Sequence, residues 1–187
     1  MPDPANLLLK AARLCSADVR TEFGADVVGY VAHDEWEMAL VLLQELGDVQ
    51  PCPPAFWTLL ADVARLLWLE SDVVWYEWRR SEASAGAFLA ELSLHDGGRA
   101  TAIPPGRLLR PMWDIGLPTG EFAIAGLWVE GRVALEPGRC ARVRLVPLTP
   151  EYWGHLVPGD VVTMHETRVA AGSARIVQVV PPVPMAS

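Results

Sequence analysis

Apolar residues recur every three to four positions through the first half of this chain and at roughly every second position through the second half. Leu8, Ala11, Ala12 and Cys15 share one face of a helix that Pro4 opens, at a position where proline sacrifices no hydrogen bond. Val27, Tyr30 and Val31 form a second short stripe that stops at His33. Trp36, Ala39, Leu40 and Leu43 hold the i, i+3, i+4, i+7 spacing of a third, with Asp34 expected as N-cap, Glu37 as its capping-box partner and Gly47 as its end. After Pro51, Pro53 and Pro54, the residues Phe56, Leu59, Leu60, Val63 and Leu67 make the clearest stripe in the chain. Ser71 is placed to cap a further helix carrying Val74, Trp75 and Trp78. The pattern predicts four or five short antiparallel helices around one core over residues 1–82.

Residues 83–106 read as a connecting segment. AGAFLAEL suits a further turn or two of helix, and HDGGRATAIPPG has the glycine and proline density of a linker. Arg99, beside Gly97 and Gly98, is expected to be open to trypsin. Beyond it, candidate strands are Leu108–Trp113, Glu121–Glu130, Ala141–Val146, Val161–His165 and Ala174–Val180. Gly131, Pro137-Gly138 and Pro158-Gly159 mark the turns. Phe122, Ile124 and Trp128 fall on one face of their strand and Leu127 and Val129 on the other, which suits a barrel whose outside is also covered. The expected fold class is α+β: an N-terminal helical bundle followed by a small antiparallel β-barrel over residues 107–187.

Charge divides the chain as periodicity does. Residues 1–102 carry 7 basic and 16 acidic side chains, whereas 103–187 carry 8 and 7. An acidic first half repels nucleic acid and attracts a basic protein. A hydrophobic share of 51% with no membrane-spanning run, and a start without signal-peptide features, predicts a cytoplasmic protein with no membrane association. Lys10 is the only lysine, an arginine bias suggestive of a GC-rich bacterial genome. Cys15, Cys52 and Cys140 form no C-x-x-C pair and read as buried free thiols. His33, His95, His155 and His165 lack metal-ligand spacing, so neither a metal nor any other cofactor is expected. G-x-S-x-G and the phosphate-binding loop are also missing. The sequence shows no catalytic constellation.

Two stretches resemble known families. VVGYVAHDEWEMALVLLQEL followed by PPAFWTLLADVARLLWL, within residues 20–75, resembles the helical immunity proteins of bacterial contact-dependent inhibition systems. His33, Glu35, Ala39, Leu40, Phe56, Leu59 and Leu60 carry that pattern, and the resemblance implies a toxin-neutralising partner role. Residues 107–181 resemble the carboxy-terminal barrel of elongation factor Tu through Pro158-Gly159-Asp160 and Arg168–Gly172. That likeness implies a barrel that contacts translation components. Without a phosphate-binding loop it implies no GTPase.

The leading expectation is therefore a non-enzymatic protein-binding module that engages a basic partner, a toxin in the immunity-type reading. Its contacts are expected at Asp34, Glu37, Glu45, Asp48, Asp62, Glu70 and Asp72, with Trp57 or Trp68 as apolar anchor. A translation-associated factor using the barrel, and a small-molecule enzyme with a dispersed site, are the alternatives.

Overall fold

In a computed structural model the chain is described over residues 3–15, 17–106, 108–131, 133–166 and 169–184, with backbone alone for 17–22. It forms two compact units, Met1–Ser84 with Val183–Ser187, and Ala85–Pro182. The fold is α+β: five helices forming a bundle, then a six-stranded antiparallel barrel.

The helices are α1 (Pro4–Leu14), α2 (Ala17–Ala32), α3 (Trp36–Val49), α4 (Pro54–Leu66) and α5 (Glu70–Ala85). Asp3 starts α1, its Oδ1 accepting from the Ala5 N–H at 3.2 Å, so an otherwise orphaned first-turn donor is satisfied. Leu8, Leu40, Leu43, Phe56, Trp57 and Leu60 are fully enclosed in the core. Each such side chain contributes about 1.5–3 kcal/mol through burial.

Three expected helix boundaries are corrected. Ser71 does not cap the last helix, since α5 already begins at Glu70. Asp34 does not cap α3; it sits in the turn at φ 59°, Glu35 occupies the cap position, and no side chain caps there. Gly47 does not end α3, which continues to Val49. This glycine is inside the helix because Trp57 packs directly on it. A Cβ at Gly47 would lie 2.6 Å from Trp57 Cζ2, far inside van der Waals contact.

The barrel runs β1 (Ala87–Leu94), β2 (Met112–Asp114), β3 (Ala123–Val129), β4 (Cys140–Pro147), β5 (Val161–Glu166) and β6 (Val169–Val180), in the closed order β1-β4-β3-β2-β5-β6. The expected linker at 83–106 is therefore wrong at its start: residues 83–85 finish α5, and AFLAELSL is a strand. Phe88, Ala90, Leu92 and Leu94 alternate into the barrel core. This strand pairs with both β4 and β6, so without it the sheet would keep two open edges. Trp113 and Trp153 fill the interior, their rings 6.4 Å apart at 70°. The Pro158-Gly159-Asp160 turn is present, with Gly159 at φ 101° and the Asp160 carboxylate accepting from Val157 N–H at 2.8 Å. Of Arg168–Gly172, the other segment in the elongation-factor likeness, Arg168 lies outside the described residues. Gly172 belongs to β6, where a Cβ would lie 2.8 Å from the Ser93 carbonyl oxygen.

Candidate protein-binding surface

With the boundaries drawn by the structure, charge separates completely. The helical unit holds 6 basic and 14 acidic residues, and the barrel unit 9 of each. The whole net charge of −8 belongs to the helices.

The acidic surface is organised around Trp57. On one side it meets Gly47 of α3; on the other it stacks on Tyr76 of α5, the ring centroids 6.2 Å apart. The Arg79 guanidinium lies over the indole at 4.2 Å, pairs with Asp48, contacts Glu82 at 3.1 Å and donates to the Gly47 carbonyl at 2.9 Å. Trp57, buried to 1% exposure, is thus a core residue, and its expected role as a surface anchor does not hold. Asp48 stays exposed, but its carboxylate is paired with Arg79. Asp62 pairs with Arg65 at 2.7 Å, and Arg65 also reaches Glu77.

Two contacts orient α3 against α5. Gly47 and Asp48 near the end of α3 meet Arg79 late in α5, while Glu37 and Asp72 at the two helix starts feel each other's charge. The helices therefore run in the same direction and begin at the same end of the bundle. That end carries the α2–α3 and α4–α5 turns. It brings together five expected site residues, Asp34, Glu37, Trp68, Glu70 and Asp72, and leaves Glu45 apart, exposed farther along α3.

This end is electrostatically unfinished. Asp72 is half-buried, and burial first, then the Glu37 charge, hold its carboxyl above the usual aspartate range. Among the described residues no cation pairs with either carboxylate. Beside the α2–α3 turn lies an open hollow of about 390 Å³, lined by Asp26, Tyr30, His33 and Glu35 among others. His33 donates through Nδ1 to its own helix at Gly29 O, 2.8 Å away. On the α4–α5 turn, Trp68 stands 87% exposed at φ 60°. A bulky residue in the left-handed region costs of order 1–3 kcal/mol, which the tight turn imposes without burying the indole in return. Trp68 precedes α5, the helix that carries Trp75 and Trp78.

The remaining chemistry is scattered. His95 meets Ser173 Oγ at 3.1 Å, and His155 meets Ile115 O at 2.8 Å. Among the described residues no three His, Cys, Asp or Glu side chains gather as metal ligands, and no helix is long and apolar enough to cross a membrane. Cys15 and Cys52 are buried neighbours, the Cys52 thiol pushed up by its hydrogen bond with Cys15 and by burial. Cys140 is exposed, against expectation, because it opens β4 outside the barrel core. Sequence reasoning missed the hollow and the Glu37–Asp72 pairing, since both depend on how separate helices pack. No family model matches the chain, and no curated protein is significantly similar to it.

Proposed function

We propose that this protein is a non-enzymatic binding module whose acidic helical unit docks a basic protein at the end formed by the α2–α3 and α4–α5 turns. One observation carries the reading: an 87% exposed indole, Trp68, shares that end with the uncompensated Glu37–Asp72 pair. Burial of the indole supplies contact area, and a lysine or arginine from the partner relieves the repulsion between the carboxylates. The acidic hollow beside His33 receives a second basic side chain. Surplus negative charge speeds encounter and makes it salt-dependent.

In the immunity-type reading suggested by residues 20–75, the partner is a toxin and the mechanism is occlusion of its basic active cleft. The barrel, with equal numbers of acidic and basic residues, lacks the basic footprint that nucleic acid requires. To test this, partners captured by the tagged full-length protein are identified and their binding measured at low and high salt, with W68A and D72N in parallel. A basic partner, association slowed by salt, and loss of binding with W68A support the proposal. A neutral or acidic partner, or binding indifferent to salt and to both substitutions, overturns it.

A further inference from the structure

Two of the three cysteines meet inside the helical unit. Cys15 stands at the C-cap of α1 and Cys52 in the α3–α4 connection, and both side chains are buried in the same apolar core. Their thiols are hydrogen-bonded to each other. Cys15 also donates to Ala11 O at 3.9 Å, back along its own helix, which leaves its sulfur to accept from Cys52. Sulfur is a weak donor and a weak acceptor, so the contact contributes little while both thiols are reduced. Its chemistry lies in what the two sulfurs become when they are oxidised.

The residues between the two cysteines carry α2 and α3. A bond between the sulfurs therefore ties the base of that helix pair and closes a long loop in the unfolded chain, which is how a disulfide stabilises in the chain-entropy view. Pro51 and Pro53 restrain the backbone on both sides of Cys52. The approach to a bond of about 2.05 Å thus falls to Cys15, at the helix end where the hydrogen-bond ladder stops. We infer that Cys15 and Cys52 form a redox-controlled staple, a disulfide made and broken by exchange with small disulfides and thiols of the glutathione class. In the forward direction the Cys15 thiolate attacks one sulfur of the small disulfide and expels a thiolate. The Cys52 thiolate then attacks the Cys15 sulfur and expels the second. Both protein protons end on the released thiols, so two protein thiols are oxidised while one small disulfide is reduced. The hydrogen bond with Cys15 and burial push the Cys52 thiol up, opposed by the Arg79 charge, so exchange is slow and waits on opening of the α1 end. The staple is independent of the docking reading above.

The test uses the full-length protein carrying C140S, since Cys140 is exposed on the barrel unit and would otherwise compete for the oxidant. The protein is incubated with oxidised glutathione in native buffer, then read by intact mass, by peptide mapping and by thermal melting. An intact mass lower by two hydrogen atoms, a peptide pair joined through Cys15 and Cys52, and a melting midpoint raised by about 5 °C or more are expected. Dithiothreitol should reverse all three. C15S and C52S, each added to C140S, should give neither the linked peptides nor the gain in midpoint. The inference is overturned if both thiols stay reduced, if they stop as mixed disulfides with glutathione, or if the bond forms only in urea that unfolds the protein. It is equally overturned if the bond forms and the midpoint does not rise.

Discussion

The guanidinium of Arg79 lies over the Trp57 ring, 4.2 Å from its centroid, and from that position reaches carboxylates on two helices, Asp48 of α3 and Glu82 of α5. An indole with a fixed cation on its face is held against sliding, and the Gly47 backbone presses its other edge. Glu82 is buried and also accepts from Trp78 Nε1 at 2.7 Å, so the arginine neutralises a charge that is largely shielded from water. Stacking, ion pairing and a backbone hydrogen bond converge on one side chain.

Removing that side chain should be severe. R79M takes the guanidinium away from the buried Glu82 carboxylate and is expected to cost about 3 kcal/mol or more. R79K should recover only part of it, because an ammonium cannot stack and span several acceptors as a planar fork does. Urea unfolding of the three proteins checks both values; a Lys variant as stable as wild type would show that charge alone suffices.

Two helical glycines should respond with opposite sign. At Gly47 a methyl group would collide with Trp57, so G47A is expected to destabilise by about 1–3 kcal/mol through overpacking. At Gly29 nothing lies within 4 Å of the added carbon, so G29A should stabilise by up to about 1 kcal/mol through helix propensity. Thermal melts of both variants decide it. Equal effects would contradict the packing of Trp57 on Gly47.

W68G separates stability from binding. Glycine removes the left-handed backbone cost at φ 60°, so the variant should be as stable as wild type or about 1 kcal/mol more so, while the indole needed for docking is gone. W68A keeps the backbone cost and should not gain. A marked loss of stability in W68G would mean that the exposed indole packs against something in solution.

Asp72 gives a pH dependence with a definite sign. Its carboxyl is raised in the folded state, by burial and by Glu37, so just above the ordinary aspartate value the folded protein holds more protons than the unfolded chain. Stability contributed at this site therefore falls as pH rises through that window and stays lower at neutral pH. D72N should be more stable than wild type at pH 7, and the difference should shrink on acidification below the ordinary value. Chemical denaturation across pH 3–7 reads the effect; a D72N variant that is less stable at pH 7 would refute it.

Arg99 illustrates how composition misleads. Its glycine neighbours suggest an open protease site, yet the side chain is 13% exposed, paired with Glu166 on β5 and bonded to Thr101. Trypsin should therefore spare Arg99 in the folded protein, and E166A should increase cleavage there, as peptide mapping would show. Early cleavage at Arg99 in the wild-type protein would remove the pairing as an explanation.

Local signals in the chain were sufficient for the division into helices and strands, because apolar period and proline or glycine punctuation act within a few residues. The Phe56–Val63 stripe, the Pro54 start and the Pro158-Gly159 turn are of this kind. The strand Ala87–Leu94 was obscured for a local reason: Leu89 and three alanines over residues 85–90 mimic helix, although Phe88, Ala90, Leu92 and Leu94 keep period two. Its true state was set by partners on β4 and β6 more than 45 residues away in sequence, which need it to close the barrel. The charge imbalance was also readable, since it depends on composition alone. Packing had to decide which acidic residues act together: Asp48, while still exposed, pairs with Arg79, whereas the charge of Glu37 on one helix raises the carboxyl of Asp72 on another. Gly47 looked like a helix end because a glycine's local meaning is a break; only the indole of Trp57, placed by a different helix, explains why nothing larger fits there.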